Sequence, residues 1–103
     1  MVATESGYFL MMINGEIEQN WLQAEKEAAT LTRQFPQNLW YQYYYFKCAL
    51  QQNKVTEARQ RFKHLIAQAK NNPALSPVQQ NHFTRIAQND LEKYGLKETA
   101  YNN

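Results

Sequence analysis

Two stretches decide the fold of this chain: WLQAEKEAATL at residues 21–31 and VTEARQRFKHL at residues 55–65. Each stretch places apolar or small side chains three and four residues apart, which is the spacing of one face of a helix. The two stripes also lie in the same register. Four pairs of these residues are separated by 34 positions: Trp21 and Val55, Ala24 and Ala58, Ala28 and Phe62, and Leu31 and Leu65. We therefore expect two copies of one helical unit.

Turn and cap signals divide the rest of the chain. Asn14-Gly15 is typical of a turn, and Pro36 ends a helix because a proline pushes the preceding residue out of helical geometry. Asn38 is suited to cap the next helix, Ser76 begins a capping box, and Gly95 favours a left-handed cap. We expect an all-α fold of five helices, at residues 5–13, 16–35, 38–52, 54–71 and 77–94.

The apolar stripes also predict which residues of these helices are buried. Ile17 is expected to begin the apolar face of the second helix, and Val78 and Tyr94 are expected to lie on the buried side of the last one.

The chain is long enough for one domain, which we place at residues 1–96. Residues 97–103 are expected to form a flexible tail. The predicted loops are short, so neighbouring helices are expected to pack antiparallel.

Residues 38–72 resemble a tetratricopeptide repeat. Gln52-Asn53-Lys54 stands where that family turns between its two helices, and Ala58 and Phe62 match the small and aromatic positions of its second helix. Phe35-Pro36 matches the proline that ends a unit, whereas Phe46 departs from the pattern, because the family usually has a small residue there. The resemblance implies a short α-solenoid of antiparallel helix pairs with a C-terminal capping helix. It also implies a protein-binding role without chemistry.

Six of the seven residues from Trp40 to Phe46 are aromatic. Taken alone, residues 41–46 could form a strand, but their helical flanks favour a helix. A helix turns its side chains in all directions, so these six cannot all face one core. We expect Leu39, Tyr43, Phe46 and Leu50 to face the core. The other four aromatic residues are predicted to line a partner-binding or self-association face: Trp40, Tyr41, Tyr44 and Tyr45.

Charge is distributed unevenly along the chain. Residues 1–40 carry five acids and two bases, whereas residues 41–75 carry one acid and six bases. Glutamates 16, 18, 25 and 27 are expected to be solvated on a polar helix face. Three of the bases are predicted to orient the partner: Lys47, Arg59 and Lys63. The partner is thus a protein or peptide, with an acidic segment as one option.

Two alternatives remain for the function. The first is a structural homodimer or a fragment of a larger helical scaffold, in which the aromatic patch is buried against another copy or a neighbouring domain. The charge distribution also suggests that one copy could dock its basic helix on the acidic helix of another. The second, less favoured, is a nucleic-acid binder that uses the basic helix. The sequence pI of about 8.7 is only mildly basic, and no nucleic-acid-reading motif is present.

No catalytic or metal site can be assembled from the sequence. His64 and His82 lie on different predicted helices, and Cys48 is the single cysteine, which we expect to be a small packed residue. We predict a non-enzymatic protein without a cofactor. The longest apolar stretch, residues 8–13, is too short to span a membrane and lacks the features of a secretory leader. The single cysteine fits a reducing compartment, so a cytoplasmic location is expected.

Overall fold

The computed structural model describes residues 5–96, apart from the side chain of Ser6. This part of the chain contains helices and no strand, so the all-α prediction is confirmed. The helices are α1 (Glu5–Ile17), α2 (Trp21–Gln34), α3 (Leu39–Gln51), α4 (Val55–Asn71) and α5 (Pro77–Lys93). The tail predicted at residues 97–103 lies outside the described residues.

The helices stack in chain order. Each packs against the next one along the chain, and α3 also contacts α5. Side-chain contacts join α1 to α3, as between Phe9 and Tyr41, and join α2 to α4, as between Glu25 and Arg61. Helices α1, α3 and α5 therefore form one layer, and α2 and α4 form the other. This is the arrangement of a short α-solenoid in which α5 is the capping helix.

The 34-residue repeat is visible in the backbone. α1 and α3 begin 34 positions apart, and so do α2 and α4. The turn inside each pair contains a residue in the left-handed region, Gln19 or Asn53, each with φ 58°. The residue after each of these two donates its N–H to the carbonyl five positions back, at 2.7 Å in the first turn and 2.9 Å in the second. Both turns are thus the same C-terminal cap, and they confirm the register read from the sequence.

The prediction of a turn at Asn14-Gly15 is wrong, because α1 continues through both residues to Ile17. Gly15 has a different structural role. A Cβ atom placed on it would lie 3.0 Å from the backbone nitrogen of Ala24 and 3.1 Å from its Cβ, so the glycine lets α1 and α2 approach closely. Ile17, which was predicted to begin the apolar face of the second helix, instead ends α1 and is 74 % exposed.

Two clusters of buried side chains hold the stack together. One joins α3, α4 and α5 and includes Phe46, Phe62 and Leu91. The other joins α1, α2 and α3 and includes Met12 and Leu31. The large Phe46 is fully buried, with its ring centroid 5.9 Å from that of Phe62, so the aromatic position of α4 accommodates the departure from the family pattern.

The remaining core predictions have mixed outcomes. Leu39 and Leu50 are buried as expected, and Tyr43 packs against the edge of the same cluster. Val78 and Tyr94, which were predicted to lie on the buried side of the last helix, are exposed instead. Val78 lies in the first turn of α5 and Tyr94 is its C-terminal cap residue, so both are at the ends of the helix.

The predicted caps are present. Asn38 accepts a hydrogen bond from the Trp40 backbone N–H at 3.1 Å and so begins α3. Ser76 and Gln79 form the reciprocal capping box that begins α5. Gly95 ends this helix with φ 74°. Such caps satisfy backbone groups that have no partner within the helix.

Candidate functional site

Trp40 is the aromatic residue of α3 that is most accessible to a partner. Its side chain is 44 % exposed, although its ring packs against α5. The ring centroid lies 4.8 Å from that of Phe83 and 6.3 Å from that of His82. The contact with Phe83 fixes one side of the indole and leaves another side open to solvent.

Tyr41 is buried, contrary to the expectation that it would line an exposed face. Helix α1 covers it: the Phe9 ring lies 6.0 Å away, and the Tyr41 hydroxyl donates a hydrogen bond to Glu5 Oε1 at 2.6 Å. Burial, reinforced by the bond to Glu5 and its negative charge, raises the pKa of Tyr41 to about 12. Tyr41 therefore packs between α1 and α3 and exposes little surface to a partner.

Tyr44 is half-buried on the same side of α3 as Trp40 and Tyr41. Its ring lies 6.4 Å from that of Phe9, and the Lys47 ammonium lies 5.9 Å from its centroid. The same ammonium lies 3.7 Å from Glu16 Oε1. Burial, and then the charge of Glu16, raise the pKa of Tyr44. Lys47 is thus held within the chain by a carboxylate and an aromatic ring.

Tyr45 faces the other layer of the stack. The guanidinium carbon of Arg61 lies 3.6 Å from its ring centroid, and Arg61 donates a hydrogen bond to the Tyr45 carbonyl at 2.9 Å. Two surface depressions adjoin Trp40, and Tyr45 lines neither of them. The four aromatic residues predicted to share one face are therefore divided between two.

Glu25 is buried at the centre of a partly exposed ion cluster, so the expectation that it is solvated is wrong. It accepts hydrogen bonds from Lys54 at 2.8 Å and from Arg61 at 2.7 Å. Burial alone would raise the pKa of Glu25, but these hydrogen bonds outweigh burial and hold the pKa below its usual range. Glu27 is also buried, and it accepts a hydrogen bond from Gln23 at 2.7 Å. The acidic and basic blocks of the sequence thus pair within the chain.

Two adjoining depressions lie near the N-terminal ends of α1, α3 and α5, and residues 34–38, at the end of α2 and in the loop after it, also line the larger one. The α5-side depression has a volume of about 910 Å³ and is lined by Phe35, Trp40, Val78, His82 and Phe83, among others. The α1-side depression has a volume of about 700 Å³ and is lined by Glu5, Phe9, Leu10, Asn38, Trp40, Tyr41 and Tyr44. Trp40, Glu5 and Asn38 line both. We call the two depressions together the Trp40 groove.

The Trp40 groove contains only part of the site predicted from the sequence. It brings together Trp40, Tyr41 and Tyr44. Arg59 and Lys63 are exposed on α4 and line neither depression. Their role in partner binding therefore remains a prediction, and it concerns a different surface.

Sequence reasoning missed the contributions of α1 and α5 to the groove. Val78 is 78 % exposed and His82 is exposed beside Trp40, although the apolar stripe of the last helix placed Val78 in the core. Leu10 could have been found from the repeat, because it stands 34 positions before Tyr44. No sequence signal identifies the contributions of α5, since the contact of Trp40 with His82 and Phe83 depends on how α5 packs against α3.

The structure also places the cysteine and the potential metal ligands of the described residues. Cys48 is fully buried, and burial, followed by the charges of Glu16 and Glu25, raises the pKa of its thiol to about 12. Within residues 5–96, no group of three or more histidine, cysteine or acidic side chains is placed to hold a metal ion. No helix in the same part of the chain is long and apolar enough to cross a membrane.

Comparison with known proteins identifies the family. A family model described as a tetratricopeptide repeat matches residues 17–81. Neither the curated proteins nor the solved structures yield a significant match. Repeats of this kind generally mediate protein–protein interaction and are typically non-enzymatic. The match covers more than half of the chain and agrees with the register of the turns, so the chain belongs to the tetratricopeptide repeat family.

Proposed function

We propose that this protein is a non-enzymatic interaction module that holds a peptide, or an extended segment of a partner protein, in the Trp40 groove. The observation that carries the proposal is the position of Trp40 between two adjoining depressions, with 44 % of its side chain exposed. Exposed tryptophan is among the residues most often found as a binding anchor, because it offers a large contact area at low entropic cost.

The size and lining of the groove support this role. Each depression falls within the range of about 300–1,000 Å³ that is typical of ligand-binding clefts. Most of the lining is apolar or aromatic, and polar groups such as those of Asn38 and Gln79 lie among them. A partner segment could therefore bury one side chain on each side of Trp40.

The charge pairing within the chain weighs against the alternatives. Lys54 and Arg61 are bound to Glu25, and Lys47 is paired with Glu16, so these bases offer less to an acidic partner, a second copy or a nucleic acid. Homodimerisation remains a prediction, which light scattering tests. Nucleic-acid binding is tested by the salt dependence of oligonucleotide affinity.

The proposal is tested by selection from a displayed library of random twelve-residue peptides, followed by titration of the selected peptides. Trp40→Ala is expected to weaken binding about 30-fold, which corresponds to about 2 kcal/mol for the loss of an anchor residue. Val78 lines the same groove but does not contribute to the buried core. Val78→Ser should therefore weaken binding of the same peptides while the protein stays folded.

The matched control is Tyr94→Ala. Tyr94 is 40 % exposed, close to the value for Trp40, but it lies at the far end of α5 and lines neither depression. Its replacement should leave peptide affinity unchanged. The proposal would be contradicted if the selected peptides bound the Trp40 and Val78 variants as tightly as the wild type, provided that circular dichroism shows both variants to be folded.

A further inference from the structure

We infer that the α1-side depression accepts a cationic side chain of the partner, so that the Trp40 groove selects a basic segment rather than an acidic one. This inference rests on the proposed function, since it specifies the chemistry of the segment that the same groove would hold. It also reverses the preference for an acidic partner drawn from the basic helix.

Aromatic rings form most of this depression. Phe9, Trp40, Tyr41 and Tyr44 all line it. The rings of Tyr41 and Tyr44 lie 6.0 and 6.4 Å from that of Phe9, so three of the four form one continuous wall. The faces of aromatic rings carry partial negative charge and attract ammonium and guanidinium groups within about 6 Å.

A carboxylate completes the depression. Glu5 lines it, and the Tyr41 hydroxyl fixes its position by donating a hydrogen bond to Oε1 at 2.6 Å. No lysine or arginine of the described residues lines either depression, and Glu5 lines both. Among the described residues that line the α1-side depression, Glu5 is the one charged group, and its negative charge complements a cation. An oriented carboxylate beside aromatic rings suits a guanidinium especially well, because this planar group can stack on a ring and bond to both carboxylate oxygens.

Two sources of positive charge adjoin the depression, and each has a partner within the chain. The Lys47 ammonium lies near Tyr44 but is paired with Glu16 on the neighbouring helix. The N-termini of α1 and α3 carry the positive ends of their helix dipoles, which favour anions. Glu5 occupies the first turn of α1, and the Asn38 side chain accepts a hydrogen bond at the start of α3.

The geometry specifies a segment with two features. A basic side chain, preferably arginine, enters the α1-side depression beside Glu5. An apolar side chain enters the α5-side depression, where Phe35, Val78 and Phe83 lie on the other side of Trp40. Lysine shares the charge but not the planar fork, so direct comparison of the two separates a general cation site from a guanidinium site.

The test uses the peptides whose affinity is reduced by Trp40→Ala. Each is resynthesised with its arginines replaced by citrulline, which has a similar shape without the charge, or with its lysines acetylated. Neutralising one basic position should weaken binding about tenfold, which combines a cation–π contact with one ion pair. Glu5→Gln, which can still accept the Tyr41 hydrogen bond, should weaken the original peptides but have little effect on the neutralised ones. Glu18→Gln, an exposed acid outside the groove, is the control.

The outcomes separate this inference from the proposed function. The cation site is overturned if the peptides that depend on Trp40 are acidic or lack a basic residue. It is also overturned if neutralising their basic residues leaves affinity unchanged. Either result would leave the proposed groove intact. If no selected peptide depends on Trp40 or Val78, the proposed function itself fails, and the cation site fails with it. Tighter binding of arginine peptides than of the matching lysine peptides would support a guanidinium site. Equal affinity for the two would mean that the site accepts cations in general.

Discussion

Replacing Gly15 with alanine is expected to destabilise the protein, although glycine is ordinarily unfavourable inside a helix. The added Cβ would lie 3.0 Å from the Ala24 nitrogen, 3.1 Å from the Ala24 Cβ and 3.1 Å from the Asn20 carbonyl oxygen. Two of these atoms belong to the backbone and cannot move aside without displacing α2. Such overpacking costs about 1–3 kcal/mol, whereas replacing a helical glycine gains about 0.5–1 kcal/mol. We expect a net loss of about 1–2 kcal/mol.

The second repeat provides a natural comparison for this prediction. Ala49 stands 34 positions after Gly15, just as Ala58 stands 34 positions after Ala24. Ala49 is fully buried, so the equivalent crossing in the second unit already accommodates a Cβ atom. Gly15→Ala and Ala49→Gly should therefore both be destabilising, although they are opposite changes at equivalent positions.

Urea unfolding followed by circular dichroism measures both effects. Asn14→Ala, at an exposed position of the same helix, serves as the control for helix propensity and should be neutral or slightly stabilising. A Gly15→Ala variant that is more stable than wild type would refute the reasoning, because propensity alone predicts that sign. It would mean that α1 and α2 are not held in close contact at Gly15.

Further predictions concern the turns and the ion cluster. Gln19→Gly and Asn53→Gly should each raise the free energy of unfolding by about 0.5–1 kcal/mol, because glycine adopts φ 58° without strain. Thermal or urea unfolding measures this change, and a lower stability of both variants would contradict the cap geometry. Glu25→Gln should cost about 1.5–3 kcal/mol at neutral pH by weakening the charged hydrogen bonds from Lys54 and Arg61. The pKa of Glu25 is lowered by folding, so its stabilisation is lost as the pH falls through that pKa. Unfolding at pH 7 and pH 3 should therefore show the difference between variant and wild type shrinking in acid.

The repeat made most of the fold predictable from the sequence. The stripe from Ala24 to Leu31 and its copy 34 positions later determine the register, which the turns at Gln19 and Asn53 reproduce. The error at Gly15 arose because glycine signals both turns and close helix contacts. Subtracting 34 from the correctly predicted turn at residues 52–54 would have placed the first turn at residues 18–20, where the structure has it.

The pairing and burial of the charged side chains could not be predicted from composition or periodicity. Glu25 is on the polar side of its own helix, yet α4 brings Lys54 and Arg61 over it. Helical periodicity describes one helix at a time, so it does not reveal which polar positions a neighbouring helix will cover. The ion cluster therefore emerges only when the second unit packs on the first.

The candidate site was predictable only where it lies on a single helix. Trp40 and Tyr44 were identified because their unusual run is local in sequence, whereas the burial of Tyr41 depends on α1 and the exposure of Val78 depends on α5. A groove between helices has contributors distant in sequence. The aromatic run indicated the helix that carries the site but not the faces on which its residues lie.

The central claim is that partners bind the Trp40 groove near the N-terminal ends of α1, α3 and α5. The most direct measurement is an NMR titration of the isotope-labelled protein with a selected peptide, following the Trp40 indole N–H and the backbone amides. We predict that the largest shift changes occur at Trp40, at Phe9 and Leu10 of α1, and at Val78 and His82 of α5. Shift changes concentrated on the exposed face of α4, with the Trp40 indole unmoved, would contradict the account.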